Sequence, residues 1–285
     1  MSKIILITGG SSYLGLTFLK LLLKNKKNIK VISTYYKNKP KIKNKNLKWV
    51  KLDINNRNLN FLKFISVSYI IHFAWNYLKD FNDKSHITKA LPNHKFFFQE
   101  VIKQNKNIKK ILVIGTCLEY GSIYKDCLNE NFKPKPDTPY GIAKYQLYKF
   151  LINLKKFHNY QLDWCRLFYV YGNEGIRNSL WKKFLNQKNL IIRQPSTIRD
   201  FIHVDEISLI IFKMIFSNTE NNIINICSGK KITIEKLLNL WRLKYGSFIK
   251  IKFIKEKKKK YQNFWGSVFK LNKFLNSQNF NTMQK

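Results

Sequence analysis

The run Ile4-Ile5-Leu6-Ile7-Thr8-Gly9-Gly10-Ser11-Ser12-Tyr13-Leu14-Gly15 decides the fold. Its first five residues are four apolar ones closed by Thr8, the pattern of a short strand covered on both faces. Glycines follow at once, and from Leu14 to Leu23 apolar residues recur with helical spacing. A strand, a glycine turn and a helix in that order present backbone N–H groups at the positive end of the helix, where a pyrophosphate binds. Gly9 permits the tight turn, and Gly15 lets the helix pack against the strand. Ser12 stands where the middle glycine of T-G-x-x-G-x-x-G is expected. Serine is small, and its hydroxyl can donate to a phosphate. The predicted cradle is therefore Gly9, Gly10, Ser12, Tyr13, Leu14 and Gly15.

Working outward, strand-like runs at Val31–Tyr35, Leu47–Leu52, Tyr69–Ala74, Ile111–Gly115 and Trp164–Val170 alternate with helical patterns near residues 84–104 and from Tyr140 onward. Apolar strands interleaved with helices predict a doubly wound α/β domain, a parallel Rossmann-type sheet with a smaller C-terminal substrate lobe. After Gly172 a helix at Ser179–Gln187, a strand at Leu190–Arg193 and an extended piece running into a helix over Arg199–Phe216 follow. A strand at Ile223–Cys227 returns to the main sheet, and a helix covers Thr233–Leu243. Residues 1–172, rejoined by 201–227, read as the dinucleotide-binding domain. Residues 173–200 and 228–285 read as the lobe, with a basic, Asn-rich and poorly periodic tail after Gly246. No internal repeat or Ser/Gly-rich linker is visible.

The 285 residues carry a formal net charge of +37. Such an excess points toward nucleic acid, an anionic surface or phosphorylated substrates. Yet only six of the 53 basic residues are Arg, and the basic residues are spread evenly. Surfaces that read phosphates and bases favour the planar Arg fork, so the lysines read as a solvated surface and no nucleic-acid partner is expected. The cluster Lys255 to Lys260 reads as a loop of the same kind. No apolar run approaches the ~20 residues of a membrane span, and Met1-Ser2-Lys3 before Ile4–Ile7 is too little for a signal-peptide core. The four cysteines, Cys117, Cys127, Cys165 and Cys227, have no metal-ligand spacing. A cytoplasmic protein without metal or membrane association is expected.

Two further constellations carry chemistry. Dinucleotide sites that hold a ribose diol place an acid about 20 residues past the glycines. Here Thr34-Tyr35-Tyr36-Lys37 occupies that place, and the first fifty residues contain no Asp or Glu. A neutral-to-basic pocket suits a 2′-phosphate, with Lys37 the candidate partner, so NAD(P)(H) is expected with NADPH mildly favoured. Asp53 and Ile54 end the third strand, where Asp53 can accept from the adenine amino group or serve as a plain turn aspartate. Farther on, Tyr140-Gly141-Ile142-Ala143-Lys144 opens a helix with Tyr140 and Lys144 at i and i+4. An ammonium beside the phenol is expected to draw its pKa down from ~10 toward working range. Thr116, at the carboxyl end of the preceding strand, can hydrogen-bond the same substrate oxygen.

Together with Ile70-Ile71-His72-Phe73-Ala74, Tyr120-Gly121, Arg166 to Gly172, Arg199 to Asp205 and Asn225 to Gly229, these pieces occur in family order. The chain resembles the extended short-chain dehydrogenase/reductases, the NAD-dependent epimerase/dehydratase group acting on nucleotide sugars. The resemblance spans Ile4 to about Leu243. It implies Tyr140 as acid–base, Lys144 on Tyr140 and the nicotinamide ribose, and Thr116 on the sugar oxygen. Phe73 and Ala74 would line the cofactor. Arg199 would meet the substrate diphosphate, the plain alternative being an ion pair with Asp200 or Asp205. It also implies a homodimer paired through a bundle that includes the Tyr140 helix. Dehydratases of this group carry Asp-Glu directly after the Thr, whereas here Cys117-Leu118 follows and Glu119 is one place out of register. Epimerases often have Asn where Tyr169 stands, and hold NAD through the acid missing after the second strand. These departures favour a 4-keto-sugar reductase that exchanges its cofactor, over a 4-epimerase with retained NAD. A Rossmann-fold RNA-binding protein is the rival of another class.

Overall fold

In the computed structural model, which describes residues 3–122, 126–173, 179–219, 222–246, 249–254 and 263–277, strand β1 (Ile4–Thr8) leads through the glycine turn into α1 (Tyr13–Asn25). There follow β2 (Lys30–Tyr35), β3 (Leu47–Lys51) and β4 (Tyr69–His72). The helix expected from Lys84 begins as a π turn over His86–Ala90 and continues as α2 (Leu91–Gln104). Next come β5 (Lys110–Ile114), a short β6 (Asp126–Leu128), α3 (Pro139–Lys155) and β7 (Gln161–Leu167). Thr138 caps α3 by accepting from the Gly141 N–H, and Pro139 sits in its first turn, so Tyr140 enters at the helix start.

Beyond β7 lie β8 (Tyr169–Tyr171), α4 (Leu180–Asn186), β9 (Asn189–Arg193), β10 (Ile198–Arg199) and β11 (Phe201–His203). They are followed by α5 (Val204–Phe216), β12 (Asn222–Ile226), β13 (Ile232–Thr233) and α6 (Ile234–Tyr245). The chain ends its described part with β14 (Lys250–Ile254), β15 (Phe264–Gly266) and α7 (Phe269–Ser277). Seven strands form one parallel sheet in the order β12-β7-β5-β4-β1-β2-β3. Alternate residues of each strand face opposite layers. Leu6, Ile111 and Val113 pack with α2 and α3, whereas Ile5, Ile7, Leu112 and Ile114 pack with α1 and α5. Both faces being covered explains why these strands read as unbroken apolar runs.

The lobe has its own core of Trp181, Phe184, Leu190, Leu238 and Trp241. The tail holds more structure than its composition suggested. Strand β14 pairs with β9, and β15 pairs with β6. Helix α7 packs Leu271, Phe274 and Leu275 into the same core as Ile224 and Ile226, so it sits on the main sheet although the sequence reading placed 228–285 in the lobe. Those three residues do stand at i, i+3 and i+4, but the strands around them are made by long-range pairing with no local signature. The Lys255–Lys260 cluster lies outside the described residues. Among the described residues no helix is long and apolar enough to cross a membrane.

A buried lysine ties the N-terminal edge of the sheet to α5. Lys110 Nζ donates to the carbonyls of Met214, Ser217 and Thr219 at 3.0, 2.8 and 2.9 Å, and pairs with Asp163 at 3.3 Å. A cation at a helix C-terminus meets the negative end of its dipole. Removing it takes the ammonium from a buried carboxylate and from three carbonyls at and just beyond the end of α5. Lys110→Met is expected to lower unfolding free energy by about 3–5 kcal/mol in urea titrations, and Lys110→Met combined with Asp163→Leu to recover most of that loss.

Candidate active site

The glycine turn is built as tightly as the motif demands. Gly9 has φ +68°, and a Cβ there would lie 2.7 Å from the Ala74 amide nitrogen at the end of β4. A Cβ on Gly10 would collide with the Ser33 hydroxyl, and one on Gly15 with the Gly9 carbonyl. Side chains would thus push the turn away from β2, β4 and the start of α1, so the tight turn that brings N–H groups to a phosphate needs these glycines, and the residues present fit a dinucleotide. Ser12 has φ −73° and caps α1 by accepting from the Gly15 N–H at 3.2 Å. The position needs no glycine, and its hydroxyl proton stays available to donate. Tyr13 opens α1 and donates its hydroxyl to the Gly172 carbonyl, joining the cradle to the end of β8. Leu14 packs at the edge of the α1 core.

At the end of β2, Thr34 Oγ1 accepts from the Gly9 N–H at 3.0 Å. Tyr36 and Asp53 line a cavity of about 450 Å³ with Val50, Lys51, Asn56, Asn58 and Phe61. Lys37 Nζ lies 5.6 Å over the Tyr36 ring. Asp53 caps the turn that follows β3, accepting from the Asn55 N–H at 3.0 Å, so the plain turn role is realised at a residue that also faces the cavity; Ile54 is buried behind it. Phe73 and Ala74 extend β4 over the glycine turn, with the Phe73 N–H donating to the Thr8 carbonyl.

Beyond the carboxyl end of β5, Thr116 caps a short turn and accepts from the Leu118 N–H at 3.3 Å. The carboxylate of Glu119 is fully buried. It accepts from the Thr116 N–H at 2.9 Å, from Trp164 Nε1 at 2.9 Å and from Arg166 Nε at 3.0 Å. Sequence reasoning set this residue aside as out of register. Its function here is to anchor Thr116 to β7. Cys117 is a buried thiol pushed up to about 12, chiefly by burial.

Tyr140 and Lys144 are brought together as expected, but the predicted electrostatics are reversed. Burial holds the Tyr140 phenol above its ordinary value, with the negative charge of Glu119 acting in the same direction. Lys144 does not offset this, because burial draws its own pKa from 10.5 down to about 7. Its Nζ donates to the Ile114 carbonyl at 2.7 Å and lies 5.8 Å from the Tyr140 ring centroid. An amine moved out of water disfavours its own charge first. The Tyr140 ring is enclosed by Phe81, stacked at 5.0 Å, by His86 at 5.0 Å and by Trp75 edge-on at 6.0 Å. These three neighbours were missed. Trp75 had a signal, standing directly after Phe73-Ala74 at a strand's carboxyl end, where this fold places its ligands.

Arg199 is buried between Tyr169 and Phe264. It donates Nε to the Tyr169 hydroxyl at 3.1 Å and NH1 to the Ile198 carbonyl at 2.7 Å, with its guanidinium 4.5 Å over Phe264. Asp200 accepts from Ser228, Gly229 and Gly266. Asp205 meets Asn173 and His203.

A glycine cradle on the first strand of a parallel sheet, with Thr116, Tyr140 and Lys144 beyond the central strands, defines a dinucleotide-binding protein of the extended short-chain dehydrogenase/reductase type. The chain belongs to the NAD dependent epimerase/dehydratase family, whose model matches residues 5–227. It is similar to a dTDP-6-deoxy-L-talose 4-dehydrogenase (NAD(+)) of Aggregatibacter actinomycetemcomitans, 26% identical over 65% of this chain and 68% of that protein. In fold it resembles a UDP-glucose 4-epimerase of Thermotoga maritima solved with UDP-glucose, with TM-score 0.80, 20% identity and coverage of 95% of this chain and 91% of the other. It also resembles a UDP-glucuronic acid 4-epimerase of Bacillus cereus solved with NAD, with TM-score 0.77, 21% identity and coverage of 99% and 92%.

Between pH 7 and 10.5 the unfolded chain binds the Lys144 proton that the folded chain releases, so this residue's destabilising effect is full below pH 7 and fades as pH rises. Relative to Lys144→Met, the parent is expected to be less stable by a few kcal/mol in urea at pH 7. The gap should close toward pH 10.5.

Proposed function

We propose that this chain is an NAD(P)-dependent oxidoreductase of a nucleoside-diphosphate sugar, acting as a 4-keto reductase. One observation carries the reading. Tyr140 is held protonated beside Lys144, while the nearby carboxylate, Glu119, is fully engaged by Thr116, Trp164 and Arg166. A reduction needs one proton donor at the substrate oxygen. A dehydration needs a further acid and base, and neither buried Glu119 nor the raised Cys117 thiol offers one.

A bound nicotinamide cofactor would supply the hydride that reaches the keto carbon. Gly9, Gly10, Ser12 and the start of α1 would hold its pyrophosphate, with Asp53 and Tyr36 at the adenosine end and Phe73 and Ala74 along its length. Thr116 orients the substrate carbonyl, and Tyr140 gives its phenolic proton to the oxygen as the carbon becomes saturated. Lys144 then faces the phenolate that remains and favours it by charge. Positioning supplies the rest, with reacting atoms ~3–3.5 Å apart. Arg199, oriented by Tyr169, would meet the substrate diphosphate. The missing acid after β2 and the presence of Lys37 favour NADPH mildly, although NAD stands in the names of the Aggregatibacter relative and of the Bacillus cereus complex. The likeness to 4-epimerase structures over nearly the whole chain favours a second reading, 4-epimerisation with a retained cofactor.

A screen of dTDP-, GDP-, CDP- and UDP-4-keto sugars with NADH and NADPH is expected to show loss of nicotinamide absorbance with one of them. Tyr140→Phe should lower kcat by about 10²–10⁴-fold with the cofactor Kd unchanged. Copurified NAD and sugar inversion without net cofactor consumption would instead identify an epimerase. Retained RNA with a steep salt dependence and no turnover would identify a binding protein.

A further inference from the structure

Lys144 is a buried amine with an unusual set of partners. Besides the Ile114 carbonyl, its Nζ lies 4.0 Å above the ring centroid of Trp75. Trp75 is itself fixed on two sides. Its ring stacks on His94 at 4.4 Å with an interplanar angle of 8°. Its indole N–H donates to His86 Nδ1 at 3.0 Å, and His86 Nε2 meets the Asp80 carbonyl at 2.9 Å. An indole N–H only donates, so His86 Nδ1 must accept and the ring proton must sit on Nε2, where it reaches Asp80. A second proton on His86 would set two N–H groups against each other and release the indole. His86 is the middle link of a chain that runs from the Asp80 backbone to the face beneath Lys144.

We propose that Trp75, pinned by neutral His86, is the positioning residue of Lys144: its π face, rather than a carboxylate, receives the ammonium and fixes where it lies relative to Tyr140. The consequence for catalysis rests on the role proposed above for Lys144, whereas the contact itself does not. A cation over an indole face out of water is worth more than the same contact at a surface, and Trp offers the strongest such face. The other groups around Lys144 do not supply this. Glu119, from the turn after β5, favours the ammonium through its charge but makes no ion pair with it and is engaged by Arg166. His72 of β4 and His94 of α2 are held well below their usual range by burial, with Lys144 acting in the same direction. His86, in the π turn, is lowered by burial too, and Tyr140 and Cys117 are held protonated. Trp75 also adjoins Ala74, whose amide nitrogen lies against Gly9, so the same short segment touches the glycine cradle and Lys144.

The test is a double-mutant cycle of Trp75→Leu with Lys144→Met, read by urea unfolding at pH 6 and pH 10, with no substrate needed. Failure to find turnover would leave this test intact, and failure of this test would leave the enzymatic reading intact. At pH 6 the ammonium is present, and the coupling should change the unfolding constant by roughly two- to thirty-fold. At pH 10 the amine is neutral and the coupling should collapse toward one. The same cycle with Trp75→Phe, which keeps a ring face, should retain part of the pH 6 coupling. In the parent background, His86→Gln, able to accept from the indole and donate to Asp80, should preserve the Trp75–Lys144 coupling, and His86→Leu should diminish it. Equal coupling at both pH values would mean ordinary packing. That result, or no coupling at pH 6 with either Trp75 variant, overturns the proposal.

Discussion

An amine sealed from water at the carboxyl end of β5 is the constraint around which this site is organised. Lys144 can be there only because the Ile114 carbonyl at the end of β5 accepts from it, because Thr138 and Pro139 start α3, and because the segment after β4 lays an indole beneath it. Each condition belongs to a different part of the chain. The order β4-β5-β7 in the sheet makes them meet. Burial draws the amine's pKa down to about 7 and keeps the neighbouring phenol in its acid form, so the pair rests in a state that can give up a proton.

Buried polar clamps decide which charged groups are left for chemistry. Glu119 takes donors from Thr116, Trp164 and Arg166, and Asp200 takes them from Ser228, Gly229 and Gly266. Both carboxylates are acceptors with several partners, the condition under which a buried charge is tolerated. Asp200 draws the segment after β12 and strand β15 toward β10, which joins the late tail to the lobe beside Arg199. Lys110 performs the matching task at the opposite edge of β5. Against the large positive charge of the chain, the two lysines that matter most to its interior, Lys110 and Lys144, are both held by backbone carbonyls.

Much of this was legible from residues alone. The parallel sheet followed from unbroken apolar strands between helices, and the glycine turn, Thr116 and the Tyr140–Lys144 spacing followed from motifs a few residues long. Such features depend on neighbours in sequence: a period of two or 3.6, a turn that excludes Cβ atoms, a pair one helical turn apart. Even Ser12, an irregularity in the motif, is accommodated locally by its capping geometry.

What only the tertiary structure decided concerns groups whose state depends on distant partners. Whether Lys144 acidifies Tyr140 could not be read from i, i+4 spacing, because the sign turns on how completely each group is buried and on what else receives the ammonium. The aromatic enclosure by Trp75, Phe81 and His86, the engagement of Glu119 by Arg166, and the packing of α7 onto β12 all join residues far apart in the chain. Local sequence determined which residues could do chemistry. Folding determined which of them are charged, anchored or already occupied, because desolvation and pairing are properties of a place in the structure.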